Sequence, residues 1–201
     1  MTPITPSAAK LALRDQLLTA RNRRSLVEVG EVGRAIAEHL LATTEVRRAA
    51  TVAAYVSIGT EPGTGLLLRA LAEAGRRVLL PVLLADGDLD WGTYRGDACL
   101  APARRGLLEP VDRLGVEAVA AADVVLVPGL AVSPTGLRMG RGGGSYDRAL
   151  ARVPVGTFTC VLLHDEEVGL DVPAEPHDRP VSAAVSPAGL TRFRRGRRAA
   201  G

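Results

Sequence analysis

The sequence predicts a single three-layer α/β/α domain with a mainly parallel sheet. Amphipathic segments, with apolar residues every three or four positions, alternate along the chain with short apolar runs typical of buried strands. The chain has 201 residues, of which 47% are hydrophobic, enough for one sizeable core. We expect the domain to span residues 1–190, followed by an arginine-rich, disordered tail at 191–201.

The predicted elements follow from apolar periodicity together with helix-start and turn signals. The first helix starts at Thr5-Pro6-Ser7, where proline lies in the first turn, and runs to about Leu26. The alternating pattern of residues 89–94 favours an antiparallel strand. In chain order, the other predicted elements are a helix at 28–41, a strand at 51–56, a helix at 65–74, strands at 78–84 and 124–127, a helix from Tyr146 to Arg152, a strand at 157–163 and a last strand at 181–185.

The net charge of +3 is unevenly distributed along the chain. Five arginines lie within the last ten residues, at Arg192, Arg194, Arg195, Arg197 and Arg198. Removing these five charges from +3 leaves −2, so the body of the protein is not basic. A nucleic-acid partner would depend on the tail alone, whose one aromatic residue is Phe193, and we do not expect such a partner.

The two cysteines, Cys99 and Cys160, have neither metal-binding spacing nor a disulfide framework, and we expect buried thiols in a reducing compartment. No uncharged apolar run is long enough to cross a membrane. These features predict a cytoplasmic protein without a membrane partner, and we expect it to be a monomer.

The chemically densest segment is the loop between the predicted strand at 124–127 and the helix that follows it. Residues 128–148 read PGLAVSPTGLRMGRGGGSYDR. Glycines permit positive φ and a close approach of backbone amides to a ligand, while Arg138 and Arg141 offer donors suited to phosphate. The helix N-terminus adds partial positive charge. Asp147 suits such a site if a metal ion lies between it and the phosphates, so the loop predicts a Mg-nucleotide or other phosphate site.

Two common glycine motifs do not fit this loop. It lacks the lysine of a P-loop, and Ser145 stands where a dinucleotide-binding loop requires its third glycine. A flexible surface loop remains the alternative. The single lysine of the chain, Lys10, shares a face of the first helix with Arg14 and Arg21. Lysine and arginine are not interchangeable at a phosphate, so this lysine can mark a ligand contact. A solvated basic face is the alternative.

The segment PGLAVSPTGLRMGRGGGSYDR resembles the signature of the 5-formyltetrahydrofolate cyclo-ligase (5,10-methenyltetrahydrofolate synthetase) family. That signature is usually Pro-Gly-Leu-Ala-Phe-Asp, two residues, then Gly-x-Arg-Leu-Gly-x-Gly-x-Gly-Tyr-Tyr-Asp-Arg. The resemblance extends roughly from Lys10 to Ser186 and includes Lys10-Leu11-Ala12-Leu13-Arg14. It implies an enzyme that uses ATP and Mg²⁺ to convert 5-formyltetrahydrofolate to 5,10-methenyltetrahydrofolate.

The resemblance also implies roles for individual residues. The nucleotide would be bound by Lys10, Arg14, Arg138, Gly140, Arg141, Gly142, Gly143, Gly144, Ser145 and Tyr146. The folate would be bound by Val56, Glu61, Trp91, Arg141, Gly144 and Ser145. Mg²⁺ would be held by Asp147 and Asp178. The catalytic groups would be Arg138, Arg141 and Tyr146. Core packing remains the alternative for Trp91 and Tyr146, and a surface position remains the alternative for Glu61.

The chain departs from the family signature at several positions. Ser133 replaces an aspartate, Ser145 replaces the first tyrosine of a pair, and Gly143 stands where some members have lysine. These departures leave two other functions open. One is a paralogue that binds ATP and acts on another formylated or pterin-like substrate, and the other is a non-catalytic folate-binding protein or an RNA-associated module that uses the tail.

Overall fold

The computed structural model describes residues 6–193. Its helices are α1 (Pro6–Arg21), α2 (Leu26–Ala42), α3 (Thr44–Arg48), α4 (Gly65–Glu73) and α5 (Ser145–Arg152). Its strands are β1 (Thr51–Ala53), β2 (Arg77–Leu83), β3 (Leu89–Tyr94), β4 (Leu100–Pro102), β5 (Leu108–Pro110), β6 (Val124–Pro128), β7 (Ala131–Val132), β8 (Arg138–Met139), β9 (Phe158–Leu162), β10 (Ala183–Ser186) and β11 (Gly189–Arg192). Among these residues, no helix combines the length and apolar character that crossing a bilayer requires.

The main sheet has the strand order β11-β10-β9-β6-β1-β2-β3. Its five inner strands are parallel, and β3 and β11 run antiparallel at the two edges. The predicted α/β class and the antiparallel strand at 89–94 are therefore confirmed. Strand β1 lies between β2 on one side and β6 on the other, so the order of the strands reverses at β1. Ligands of open α/β sheets bind at such a reversal of strand order, so the carboxyl ends of β1 and β6 mark the expected site.

Both faces of the sheet are covered, because its central strands are apolar on both sides. Helices α2, α3 and α4 cover one face, where Ile36 and Leu67 pack with strand residues such as Val52. Helix α5 and the 3₁₀ segment Val116–Ala121 cover the other face. Helix α1 packs through Leu17 against the loop segments that follow β6, which brings its amino-terminal half to the carboxyl edge of the sheet.

The structure corrects two boundaries. Strand β1 ends at Ala53 rather than at residue 56, and the last strand is β11 rather than 181–185. Gly189, with a φ of +129°, turns the chain after β10 so that β11 pairs with it, and this turn signal was missed in the sequence. The predicted division between 190 and 191 therefore falls inside a strand, where Arg192 pairs with Glu45 at 2.7 Å. The remainder of the predicted tail, from 194 onwards, lies outside the described residues.

Candidate active site

A cavity of about 880 Å³ opens at the carboxyl ends of β1 and β6. Its walls come from α1, from the loops after β1 and β6, from residues 138–147 and from the segment at 175–178. The predicted site residues that line it are Lys10, Arg14, Val56, Glu61, Arg138, Gly140, Arg141, Gly142, Gly143, Gly144, Ser145, Tyr146, Asp147 and Asp178. Residues that bind the same ligands must line the same cavity, and these residues do so.

The basic face of α1 points toward this cavity and its surroundings. Lys10 is 6% exposed and Arg21 is 1% exposed, so the alternative of a solvated basic face is wrong for both. The Lys10 ammonium donates to Glu175 at 2.7 Å and to Asp178 at 2.6 Å. Burial alone would lower the pKa of Lys10, but the hydrogen bonds and charges of Asp178 and Glu175 raise it overall. Lys10 is therefore a permanent cation in the cavity wall.

The glycines of the loop are needed for its geometry. Gly142 has a φ of +98°, and a Cβ at this position would lie 3.3 Å from the guanidinium carbon of Arg14. Arg14 Nε in turn donates to the carbonyl oxygen of Gly140 at 3.1 Å. Gly144, with a φ of +67°, precedes the first turn of α5. These contacts pack the loop against α1 and argue against the alternative of a loose surface loop.

Two further ion pairs lie in the cavity wall. Arg138 lies 3.0 Å from Asp147, and Arg141 lies 3.2 Å from Glu61. The guanidinium of Arg138, which is 3% exposed, also lies 6.0 Å from the centre of the Tyr146 ring. Burial and the negative charge of Glu61 raise the pKa of the Tyr146 phenol, so the hydroxyl remains protonated at neutral pH.

The acidic side of the cavity offers oxygen ligands. Ligating atoms of Glu175, His177 and Asp178 lie within 4.8 Å of one another, and Asp147 lines the same cavity. Carboxylate oxygens are the protein ligands that Mg²⁺ prefers, so Glu175 and Asp178 fit such an ion, whereas Asp147 lies outside this group of three residues. Glu175 was missed in the sequence, although it lies three residues before Asp178 in the same proline-rich segment.

The substrate-binding role predicted for Trp91 is not supported. Its side chain is 1% exposed and packs with Leu79 and Val119 in the core between the sheet and the 3₁₀ segment Val116–Ala121. It is not among the residues that line the cavity. The 3₁₀ segment covers this face of β3, and a sequence pattern could not reveal that contact. Core packing, the alternative for Trp91, is the role that the structure shows.

Tyr55 and Glu109 are among the cavity-lining residues that were not singled out as ligands from the sequence. Tyr55 lines the cavity floor, and its buried hydroxyl has no hydrogen-bond partner among the described residues. Glu109 also lines the cavity, and its carboxylate accepts a hydrogen bond from the backbone amide of Leu83 at 3.0 Å. That bond gives Glu109 a structural role in the cavity wall.

The departure at Ser133 has a structural explanation. Its hydroxyl oxygen accepts hydrogen bonds from the backbone amides of Leu137 at 3.0 Å and Thr135 at 3.2 Å. Short polar side chains stabilise turns in this way, and an aspartate could make the same bonds. Ser133 does not line the cavity, so its exchange for aspartate removes no cavity residue.

Behind the cavity, a buried histidine makes the stability dependent on pH. His164 is 1% exposed, and burial lowers its pKa more than the Thr60 carbonyl and the charge of Glu167 raise it, while Arg24 and Arg21 lower it further. Below the ordinary pKa of about 6.5, the unfolded chain binds a proton that the folded protein excludes. We expect the free energy of unfolding to fall by roughly 1 kcal/mol between about pH 7.5 and pH 5.5.

Denaturant unfolding at the two pH values measures this effect. In the His164→Gln variant, which cannot titrate, the difference between the two pH values should be smaller by the same amount. An equal difference in both proteins would contradict the assignment to His164.

The fold and the cavity define a class of protein. A parallel sheet carries, at its reversal of strand order, a deep cavity that combines buried cations, a glycine loop at a helix N-terminus and several carboxylates. This is the arrangement of an α/β enzyme whose site suits a polyanionic ligand.

Comparison with known proteins defines the class more closely. The sequence pattern of the 5-formyltetrahydrofolate cyclo-ligase family matches residues 6–187. The chain therefore belongs to the 5-formyltetrahydrofolate cyclo-ligase family. It is 40% identical over 185 residues to the 5-formyltetrahydrofolate cyclo-ligase of Mycolicibacterium smegmatis, covering 89% of this chain and 94% of that protein. It is 33% identical over 178 residues to the enzyme of the same name from Escherichia coli K12, covering 83% and 95%.

A solved structure supports the same conclusion. The NMR structure of 5,10-methenyltetrahydrofolate synthetase from Aquifex aeolicus has a TM-score of 0.80 at 27% identity, covering 94% of each chain. The resemblance stated from the loop sequence is therefore confirmed at the level of the family and the fold.

Proposed function

We propose that the protein catalyses the ATP- and Mg²⁺-dependent cyclisation of 5-formyltetrahydrofolate to 5,10-methenyltetrahydrofolate, with release of ADP and phosphate. One observation carries the proposal beyond family membership. A single cavity combines two buried cations, Lys10 and Arg138, and the more exposed Arg141 with the glycine loop and with carboxylates suited to a metal ion and to a pterin.

The chemistry explains why ATP would be needed. The oxygen of the N5-formyl group is a poor leaving group until it is phosphorylated. In the proposed reaction this oxygen attacks the γ-phosphate and displaces ADP, which leaves an iminium phosphate at N5. The N10 nitrogen then attacks the same carbon and loses its proton, and the phosphate departs with the former formyl oxygen. Neither step requires a nucleophile from the protein.

Phosphoryl transfer depends on positioning and on charge stabilisation. Lys10, Arg14, Arg138 and Arg141 would supply positive charge to the triphosphate, and the amides of residues 140–144 would approach its oxygens. The neutral Tyr146 hydroxyl can donate a hydrogen bond to the nucleotide or the pterin without adding negative charge.

The carboxylates Asp147 and Asp178, with Glu175 beside them, would hold Mg²⁺. When bound, the ion would neutralise charge on the phosphates. Asp178 is 6% exposed at its side chain, and its position is fixed by the hydrogen bond from the Glu175 backbone amide at 2.7 Å. The chain would thus provide oxygen ligands from two segments of the cavity wall.

The folate would bind near the loop after β1. Glu61 is 7% exposed, and a carboxylate can accept two hydrogen bonds from the aminopyrimidinone edge of a pterin. The apolar Val56 lines the adjacent wall, and Arg141, Gly144 and Ser145 face the cavity from the glycine loop. The formyl group would then lie between the pterin contact and the phosphate contacts.

The cavity is internally compensated in charge. Lys10 pairs with Asp178, Arg138 pairs with Asp147, and Arg141 pairs with Glu61. In each pair the cation is assigned to phosphate and the acid is assigned to the metal ion or the folate. Binding of both substrates therefore requires these pairs to exchange partners. The exchange limits the cost of burying charge, since each group has an opposite charge beside it before and after binding.

A steady-state assay tests the proposal. Formation of the methenyl product is followed by its absorbance, and phosphate release is measured in parallel, with ATP or Mg²⁺ omitted in turn. We expect equal amounts of methenyl product and phosphate, and no product when either component is missing. Nucleotide binding without turnover would favour a paralogue with another substrate. Folate binding without nucleotide binding would favour a non-catalytic folate-binding protein.

A further inference from the structure

A buried polar network joins the carboxyl ends of β1, β6 and β9 behind the cavity. Arg21, Glu167 and His164 form it, and each is 1% exposed. The Arg21 guanidinium donates to both carboxylate oxygens of Glu167, at 2.6 and 2.7 Å, and to the carbonyl oxygen of Gly129 at 2.6 Å. Helix α1 and the end of β6 are thereby anchored to a second 3₁₀ segment, Asp165–Glu167, which follows β9.

His164 extends this network to the loop after β1. Its backbone amide donates to Glu167 at 2.9 Å, and its ring Nε2 lies 3.0 Å from the carbonyl oxygen of Thr60. A carbonyl oxygen only accepts hydrogen bonds, so Nε2 carries the proton in this contact. The ring Nδ1 is buried without a partner among the described residues, which agrees with a neutral ring.

The residue that follows Thr60 is Glu61, the proposed folate ligand. Local bonds give the loop its shape, because Ile58 donates its backbone amide to Glu61 at 3.0 Å. The Ser57 backbone amide donates to the Thr64 hydroxyl at 2.9 Å, and the Thr64 backbone amide donates to the Ser57 hydroxyl at 3.1 Å. These bonds lie within the loop and cannot set its position relative to β6 and β9. The bond from His164 ties the loop to the segment after β9, and the pair of Glu61 with Arg141 at 3.2 Å ties it to the glycine loop.

We infer that His164 is a positioning residue for folate binding, which places the Glu61 carboxylate through the Thr60 carbonyl. The inference rests on the proposed folate role of Glu61. His164 itself does not line the cavity, so any effect on the substrate must be transmitted through the loop. Because Lys10 and Arg14 lie on α1 and the pair of Glu61 with Arg141 is retained, the loss of the His164 bond should affect folate more than ATP.

Two substitutions separate this role from a general structural one. In His164→Gln the side-chain amide can reach the position of Nε2 and still donate to Thr60, whereas in His164→Asn the amide is too short. We expect His164→Asn to raise the KM and the Kd for 5-formyltetrahydrofolate by about tenfold, corresponding to about 1.4 kcal/mol. The KM for ATP should remain within about twofold of the wild-type value, a change of less than about 0.5 kcal/mol. His164→Gln should resemble the wild type.

Several outcomes would overturn the inference. These are an equal rise in both KM values, no change in either, or the same behaviour in both variants. If His164→Asn does not fold, ¹⁵N NMR of the imidazole in the wild-type protein decides, because the inference requires the Nε2-protonated tautomer, and the Nδ1-protonated tautomer contradicts it. Direct folate binding keeps this test separate from the proposed function. A wild-type protein that binds folate but does not turn it over would refute the function and leave the positioning role measurable.

Discussion

Replacement of Asp147 by asparagine is expected to lower kcat by about 100-fold while the Kd for 5-formyltetrahydrofolate stays close to the wild-type value. Asparagine has almost the same shape as aspartate but lacks the negative charge. The substitution weakens the pair with Arg138, at 3.0 Å, and removes a charged oxygen ligand from the cavity. The acceptor for the backbone amide of Arg179, at 3.2 Å, is retained, so the loop should keep its conformation.

Magnesium titration distinguishes a metal ligand from a partner of Arg138. If Asp147 binds the ion, the Mg²⁺ concentration for half-maximal rate should rise by about tenfold or more. Asp88→Asn is the matched control. Like Asp147, Asp88 pairs with an arginine, in this case Arg152 at 2.9 and 2.5 Å, but it does not line the cavity. That control should lose stability and keep its magnesium dependence. Wild-type rates for Asp147→Asn at limiting Mg²⁺ would refute the metal role.

Local patterns were sufficient to predict most of the sheet. The apolar runs at 124–127 and 157–163 indicate strands buried on both faces, and such strands belong to parallel sheets covered by helices. The strand at 181–185 was predicted as the last one, whereas Thr191 and Arg192 belong to a further strand, β11. Their pairing with β10 satisfies the backbone of an edge strand and needs no apolar side chains, so hydrophobic periodicity could not reveal it.

The site was predictable where a motif encodes it, and not where distant segments meet. The glycine loop and Lys10 were recognisable because their residue types suit phosphate. The contact between Lys10 and Asp178 joins positions 168 residues apart, and no local pattern encodes such a pair. The same reason explains why the pair between Arg141 and Glu61 was missed and why Trp91 was assigned to the folate. Only the packing of β3 under the 3₁₀ segment at 116–121 shows where that side chain lies.

A second large effect is expected from Gly142→Ala, with a fall of about 100-fold in kcat/KM for ATP. The residue has a φ of +98°, which L-residues with a side chain rarely adopt. Its new methyl group would lie 3.3 Å from the Arg14 guanidinium carbon, which is tight. Arg14 holds the loop through the Gly140 carbonyl at 3.1 Å, so its displacement would move both a phosphate-binding cation and the amides beside it.

Gly156→Ala separates the effect of this contact from that of backbone strain. Gly156 has a φ of +105°, nothing lies within 4 Å of its Cβ position, and it does not line the cavity. Both variants should lose roughly 1 to 3 kcal/mol of stability through strain, as measured by denaturant unfolding. Only Gly142→Ala should raise the KM for ATP, because only there does the added methyl group meet a residue of the phosphate site. If the two variants lose activity in proportion to their stability, the close approach of Arg14 to the loop has no role in nucleotide binding.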